Sequence, residues 1–378
     1  MVIEMVVSVA PVSTNVSNVT SSFKTTTPAS SSVSTWEESS SYNDFFIGSF
    51  NFIAINLERS FNGNYSFAHD LPNDVAKCLG NLSWCDLYLL LGLSVMWTWL
   101  RHIMTMHFFQ PLSVKYLAYK DEREKLPESL WKAFFYGFSW SFTAYILLVQ
   151  EEGRYFERPS YVWSDYNLYS KVPIGVYIVY IAQASFYTHS LYATLFQDSW
   201  RKDSIVMIVH HTIATILLTV SYAARYHYFG LTCIFLHDMC DILLEVTKSF
   251  NYLKNSPDGL VKAFEVTADM GFLCFTVTWF VSRLYLFPLR VLYFSSVYVE
   301  QHDIHTPLGF PLNLLMYLLL AMNVYWFLLI LHVLYKVVTG QVLEDVRDFK
   351  DEDEQETQVL QVLKAKEESM GETNNKIK

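Results

Sequence analysis

Seven long apolar runs constrain the fold of this 378-residue chain more than any other feature. They cover residues 84–106, 130–149, 172–196, 204–223, 228–250, 260–286 and 312–338. Each run is close to the roughly 20 residues that an α-helix needs to cross a bilayer. Only 17% of all residues are charged, against about 25% in soluble domains. We therefore predict an all-α polytopic membrane protein with about seven transmembrane helices.

The segments outside these runs divide the chain into three predicted domains. Residues 1–82 are rich in Ser and Thr, and we expect a lumenal tail that is disordered over residues 1–45. This tail holds four N-glycosylation sequons, at Asn15, Asn18, Asn64 and Asn81. Residues 83–342 form the predicted membrane domain. Residues 343–378 are acidic, and we expect a cytosolic tail that is a frayed helix or disordered.

Basic residues outside the apolar runs orient the chain. Lysines and arginines follow the first run, precede the fourth and follow the fifth. Because positive residues accumulate on the cytosolic side of a membrane, this pattern predicts a lumenal N-terminus and a cytosolic C-terminus. The formal net charge is −10 and the chain has no Lys/Arg-rich block, so we expect no nucleic-acid partner.

Ionisable residues concentrate in two consecutive apolar runs. The fourth run contains the adjacent histidines His210 and His211. The fifth run contains five more ionisable residues, at His237, Asp238, Asp241, Glu245 and Lys248. Each charged side chain at the centre of a membrane helix costs roughly 2.5–3.5 kcal/mol, so such groups are usually functional. Helical geometry places the five on one face of a helix, which predicts an active site in the interior of the bundle.

The depth of these residues indicates their chemistry. His210 lies roughly 9 Å and Asp241 roughly 13 Å from the cytosolic ends of their helices, at 1.5 Å per residue. A histidine and a carboxylate that meet at this depth form a general base or an activated nucleophile. We therefore predict four catalytic residues, His210, His211, Asp238 and Asp241.

Further polar side chains near these four are candidate substrate-binding residues. They are His237, Glu245, Lys248, Arg201 and Lys202. The basic ones lie near the cytosolic ends of the helices, where they could hold the phosphates of a soluble cosubstrate. They could equally serve as topology anchors.

Other interpretations of the histidines stay open. They could pack without catalysing a reaction, or bind zinc or iron together with an aspartate. Adjacent His210 and His211 point about 100° apart on a helix, and the chain has no His pair at i,i+4 and no CxxC motif. We therefore predict no metal. A G-protein-coupled receptor would need DRY-like and NPxxY motifs, and the sequence has neither.

The histidine and aspartate motifs resemble those of a known family. Residues 198–252 carry HH followed by HDxxDxxLExxK, which is similar to the signature of the ceramide synthases, a family of TLC-domain proteins. The resemblance continues through residues 279–293 and 323–331, so it covers about residues 83–342. The four candidate catalytic residues match the family's essential positions.

This resemblance implies a fold and an activity. The fold is a TLC-type helical bundle in the membrane of the endoplasmic reticulum. The activity is the transfer of a fatty acyl group from acyl-CoA to the amine of a sphingoid base, which forms ceramide or dihydroceramide. The implied partners are these two substrates, membrane lipids and a related synthase in a homo- or heterodimer. No cofactor is implied beyond acyl-CoA as the cosubstrate.

Two segments bear on the branch of the family and its acyl chain. Residues 107–129, between the first two runs, are too few for the homeobox-like segment of many animal members. The chain thus resembles the mammalian subtype one branch, which tends to favour a stearoyl chain. In the family, chain length is associated with the last lumenal loop, here residues 295–311, whose sequence does not itself predict a length. The rival functions are a zinc-dependent membrane lipid hydrolase and a non-catalytic TLC-domain lipid-binding protein.

Overall fold

The structure is a computed structural model that describes residues 40–62, 70–117, 120–198, 200–254 and 261–339. These residues form helices joined by short connections, without a β-strand among them, which confirms the predicted all-α class. Numbered along the chain, the α-helices are α1 (Tyr42–Phe61), α2 (Asp70–Leu79), α3 (Trp84–Met104), α4 (Gln110–Tyr116), α5 (Lys120–Ala144), α6 (Arg154–Glu157), α7 (Tyr161–Ser164), α8 (Ile174–Phe196), α9 (Ser204–Ala223), α10 (His227–Leu253), α11 (Val261–Trp279), α12 (Tyr293–Ser295), α13 (Val297–Gln301) and α14 (Gly309–Val338). π-Helical stretches follow α3, α5 and α11, at Thr105–Phe109, Tyr145–Gln150 and Phe280–Leu292.

Each of the seven apolar runs is helical over most of its described residues. Within the described residues, four helical stretches are long and apolar enough to cross a membrane: Trp84–Tyr116, Ser204–Ala223, Lys262–Gln301 and Gly309–Lys336. The other three runs form α5 with its π-helical extension, α8 and α10. The chain is therefore a multi-pass membrane protein, and the count of seven spans stays a prediction.

Helix α10 carries the second cluster of ionisable residues and packs against α5, α11 and the π-helical stretch 280–292. Helix α9, which carries the two histidines, packs against α8 and α14. Gly271 permits the close approach of α11 to α10, because a Cβ at this position would lie 2.7 Å from Thr247 Oγ1. This packing turns the polar faces of α9 and α10 towards a common interior.

The described part of the N-terminal region is helical. The sequence indicates a tail up to residue 82, but the described residues in this range form α1 and α2. The Ser41 hydroxyl caps α1 by accepting a hydrogen bond from the Asp44 N–H at 3.1 Å, and Phe45 and Phe52 are buried. Composition does not reveal this helix, because tertiary packing of one face supplies most of the stability of a short helix.

The predicted glycosylation sites fall into two groups. Asn15, Asn18 and Asn64, like most of the predicted tails, lie outside the described residues. The Asn81 amide nitrogen donates hydrogen bonds to the carbonyls of Leu168, at 2.8 Å, and Ala223, at 2.9 Å. A glycan would attach to this same nitrogen and break that arrangement, so the geometry at Asn81 opposes the predicted glycosylation.

Candidate active site

A cavity of about 280 Å³, which we call the polar cavity for its charged lining residues, lies among the helices that carry the predicted catalytic residues. His210 and His211 line it from α9, and Asp241, Glu245 and Lys248 line it from α10. The cavity extends to the connection between α8 and α9, where Asp198 and Arg201 line it. This connection is cytosolic in the predicted orientation. Residues from two apolar runs therefore meet in one space, as their spacing predicts.

A second, apolar cavity of about 100 Å³ lies on the other side of His210. It follows α9 from His210 to Ser221, a distance of about 16 Å at 1.5 Å per residue. Away from the histidine, Tyr226, Thr306 and Gly309 line it. His210 lines both cavities, so its imidazole lies where a polar and an apolar part of one substrate would join.

The two histidines are surrounded mainly by aromatic rings. The His210 ring lies 5.3 Å from the Trp326 ring and 5.5 Å from the His211 ring, measured between centroids. The His211 ring lies 5.7 Å from the Tyr187 ring and is buried. Among the described residues, the Nδ1 atoms of both histidines are buried without a hydrogen-bond partner. Because buried polar atoms are normally paired, these nitrogens are suited to contact a ligand.

Asp238 does not share the cavity with the histidines. Its Oδ2 accepts hydrogen bonds from Ser139 Oγ at 2.8 Å and from Gln183 Nε2 at 2.6 Å. The residue is 1% exposed and lies behind the cavity wall. The direct contact between a histidine and Asp238 that the sequence suggests is replaced by these hydrogen bonds to neutral side chains.

Asp241 lines the polar cavity but pairs with an arginine rather than a histidine. Arg283 Nη2 donates to Asp241 Oδ1 at 2.6 Å and to the His237 carbonyl at 3.0 Å. The guanidinium also lies 4.0 Å from the Trp279 ring, a cation–π contact. The position of Arg283 inside an apolar run already indicates an internal ion pair or a substrate contact, but the sequence does not identify Asp241 as its partner.

His237 has partners on both of its ring nitrogens. Nδ1 lies 2.8 Å from the Cys233 carbonyl, to which it donates, and Nε2 lies 3.2 Å from Asn323 Nδ2. Because Nδ1 carries the hydrogen, Nε2 accepts a hydrogen bond from the Asn323 amide, and the imidazole is neutral. His237 reaches the apolar cavity, but these bonds give it a structural role beside its predicted contact with substrate.

Charged residues surround the polar cavity where α8 and α9 are joined. Lys132 Nζ lies 2.6 Å from Glu128 and 3.3 Å from Asp198, and Arg101 Nη2 lies 2.6 Å from Asp198. Burial raises the pKa of the Asp198 carboxyl, but Lys132 and Arg101 more than reverse this and hold the pKa below its usual value. Arg201 belongs to the same cluster, 3.9 Å from Glu128.

The remaining predicted binding residues differ in whether they line the polar cavity. Arg201 and Lys248 line the polar cavity, and Lys248 pairs with the buried Glu245 at 2.9 Å. Lys202 is exposed and does not line the cavity, so its predicted contact with substrate is not supported. Sequence reasoning missed Arg101 and Lys132, because each lies in or beside a different apolar run, far from the histidine motif.

Within the described part of the chain, no group of three or more His, Cys, Asp or Glu residues is placed to hold a metal ion. The two predicted catalytic aspartates, Asp238 and Asp241, accept hydrogen bonds from protein donors. The arrangement therefore offers two imidazoles, a carboxylate–guanidinium pair and a cluster of ion-paired cations for chemistry in the cavity.

Comparison with known proteins identifies the family of this chain. Residues 125–332 match the TLC domain. The chain is similar to ceramide synthase 1 of Homo sapiens, with 42% identity over 278 residues that cover 73% of this chain and 79% of the relative. It is similar to ceramide synthase 1 of Mus musculus, with 41% identity over 255 residues that cover 67% of this chain and 73% of the relative. Ceramide synthase 3 of Mus musculus is 32% identical over 214 residues, which cover 55% of this chain and 53% of the relative.

Proposed function

We infer that this chain, which belongs to the ceramide synthases of the TLC-domain family, is a sphingoid base N-acyltransferase. It transfers a fatty acyl group from acyl-CoA to the amine of sphinganine or sphingosine, and the product is dihydroceramide or ceramide. The observation that carries this proposal is the position of His210 between a polar and an apolar cavity.

The two cavities suit the two halves of acyl-CoA. The cations Arg201, Lys132 and Lys248 line the polar cavity, where they suit the phosphates of CoA. The apolar cavity suits the acyl chain, because burial of each CH₂ group contributes about 0.8 kcal/mol. Its lining follows α9 for about 16 Å, which suits a long acyl chain, and the proposed preference for a stearoyl chain rests on the resemblance to the subtype one branch.

His210 is the proposed reacting residue. The unprotonated nitrogen of the neutral imidazole attacks the thioester carbonyl, and the bond to sulfur breaks. The CoA thiolate leaves and takes the proton of the other ring nitrogen, so a neutral acyl-imidazole remains. The neutral sphingoid amine then attacks the acyl-imidazole, the amide bond forms, and the imidazole is released after the amine loses its proton. An imidazole suits this route because it is partly neutral at pH 7 and is a good leaving group. His211, beside Tyr187, then serves as the base that accepts the proton of the amine.

Acyl transfer by purified protein in lipid, with sphinganine and a panel of acyl-CoAs, tests the function. We expect dihydroceramide in mass spectra without added metal. The function is wrong if the whole panel is unreactive. If a chelator abolishes the activity and zinc restores it, a metal-dependent mechanism replaces the proposed one.

Acyl-CoA given alone tests the route. We expect an acyl mass on the His210 peptide, retained in His211→Ala and absent in His210→Ala. The absence of any adduct, with double-reciprocal plots that intersect, would limit His210 to the role of a base. Full activity of His210→Ala would exclude it from the mechanism.

The cellular setting follows from the same function. We propose a location in the membrane of the endoplasmic reticulum, with a lumenal N-terminus and a cytosolic C-terminus. This orientation puts the polar cavity on the side where acyl-CoA is soluble. A dimer with a second copy or a related synthase belongs to the same proposal.

A further inference from the structure

Helix α1 packs behind the segment that ends the apolar cavity. This cap segment comprises residues 295–309, of which Ser295, Thr306 and Gly309 line the cavity. Ser295 Oγ donates to Asn313 Oδ1 at 2.7 Å, and Asn313 Nδ2 donates to the Ser295 carbonyl at 2.8 Å. The cap segment is thereby joined to α14, and its position determines where the apolar cavity ends.

Helix α1 approaches the cap segment closely at Gly48. A Cβ at this position would collide with Val297 Cγ1, so the helix approaches as closely as only glycine permits. Val297 is 2% exposed and lies two residues from Ser295. Because a β-branched side chain is stiff at χ1, any group added at Gly48 has to displace Val297 and the backbone beside it.

Further contacts join α1 to the same segment and to the residue that follows it. Arg59 donates to both carboxylate oxygens of Glu300, with Nη1 to Oε2 at 3.0 Å and Nη2 to Oε1 at 2.6 Å. This two-bond geometry is the most specific that an arginine and a carboxylate form. The buried Phe52 lies 5.9 Å from the ring of Phe310, the residue that follows Gly309. Helix α1 thus contacts the first half of the cap segment and the residue directly after that segment.

We propose that α1 determines which acyl chain lengths the protein accepts, because it holds the cap segment at the end of the apolar cavity. The proposal rests on the acyltransferase function above and assigns Gly48, Arg59 and Glu300 as residues that set specificity by positioning the cap. None of the three lines either cavity. Their effect is therefore expected in the choice of acyl chain rather than in the chemical step.

Gly48→Ala tests the contact with Val297. We expect the added methyl group to push Val297 towards the cavity and to shift the products to shorter acyl chains. The ratio of shorter to longer products should change by about tenfold, the discrimination that one methylene typically carries in an apolar pocket. Val297→Ala combined with Gly48→Ala should restore the wild-type ratio, because it removes the colliding methyl groups. Gly92→Ala in α3 is the matched control, since nothing lies within 4 Å of a Cβ at that position.

The second variant, Arg59→Glu, tests the ion pair with Glu300, and this test does not depend on core packing. It places a like charge beside Glu300, and we expect the cap segment to move outwards and longer chains to be accepted. The charge-reversed pair Arg59→Glu with Glu300→Arg should return the product ratio towards that of the wild type. The side chains of Arg59 and Glu300 are 44% and 18% exposed, so these variants are expected to fold.

Products are measured by mass spectrometry, with an equimolar mixture of acyl-CoAs competing for sphinganine. An unchanged product ratio in both Gly48→Ala and Arg59→Glu would overturn the proposal. A uniform loss of activity at all chain lengths would also overturn it, because α1 would then contribute only stability. A wild-type protein that acylates no base at all would instead refute the proposed function.

Discussion

At the scale of single residues, the two aspartates of the HDxxD motif have different partners. Asp241 pairs with the buried Arg283, whereas Asp238 accepts hydrogen bonds from the neutral Ser139 and Gln183. An amide in place of Asp238 still accepts these bonds. An amide in place of Asp241 leaves the buried guanidinium without the charge that balances it. The two carboxylates are therefore not equivalent, although the motif presents them as a pair.

We predict that Asp241→Asn lowers the free energy of unfolding by about 3 kcal/mol, the cost of breaking a buried ion pair. Asp238→Asn should lower the free energy of unfolding by about 1 kcal/mol, because its hydrogen bonds from Ser139 and Gln183 are weakened rather than lost. Both are expected to lower turnover. Unfolding in detergent, followed by tryptophan fluorescence, and turnover with saturating substrates measure these effects.

The exposed carboxylate of Glu265 in α11 provides the control, and Glu265→Gln should match the wild type in both assays. Equal stability of Asp241→Asn and wild type would show that the pair with Arg283 contributes nothing. Normal turnover of either aspartate variant would exclude that residue from catalysis.

At the scale of helices and their connections, a charge cluster joins several elements at the mouth of the polar cavity. Arg101 of α3 and Lys132 of α5 both contact Asp198, and Arg201 approaches Glu128. All five residues line the polar cavity. The cluster therefore connects the helices and places three cations at the mouth of the cavity, each within 4.0 Å of a carboxylate oxygen.

We predict that Arg201→Ala raises KM for acyl-CoA by about tenfold, as expected for the loss of one charge-assisted hydrogen bond of roughly 1.5 kcal/mol. KM for sphinganine should change little. Lys202→Ala is the matched control, because the neighbouring lysine is exposed and lies off the cavity. Equal effects of the two variants would mean that only the net positive charge near the membrane matters, and initial rates at several salt concentrations would show this.

At the scale of the whole molecule, the orientation in the membrane determines which cavity meets which substrate. The polar cavity continues to the connection between α8 and α9, and the apolar cavity ends at the cap segment. With a lumenal N-terminus, CoA enters from the cytosol and the acyl chain points towards the lumen. The inverted orientation would place the cations where no acyl-CoA is dissolved.

We predict that, in sealed microsomes, protease removes a C-terminal tag and leaves the N-terminal region protected. Substitution of Asn18 or Asn64 by Gln should remove one glycan where that sequon is used. Asn81→Gln should remove none, because the Asn81 amide already bonds two backbone carbonyls. Electrophoretic mobility before and after deglycosylation measures this. A protected C-terminal tag would invert the topology, and a glycan lost with Asn81→Gln would contradict the geometry at that residue.

The sequence by itself determined the helical class, the positions of the apolar helices and the two motifs of ionisable residues. These features are local, since hydropathy over about 20 residues and a period of 3.6 residues can be recognised without knowing the fold.

Only the tertiary structure decided which charged side chains pair with one another. Arg283 pairs with Asp241 across 42 residues of chain, and Glu300 pairs with Arg59 across 241. It also decided that α1 forms, and that His210 separates a polar from an apolar cavity. Such contacts depend on which helix faces pack together, and the periodicity of one helix indicates a polar face without specifying the residue opposite it.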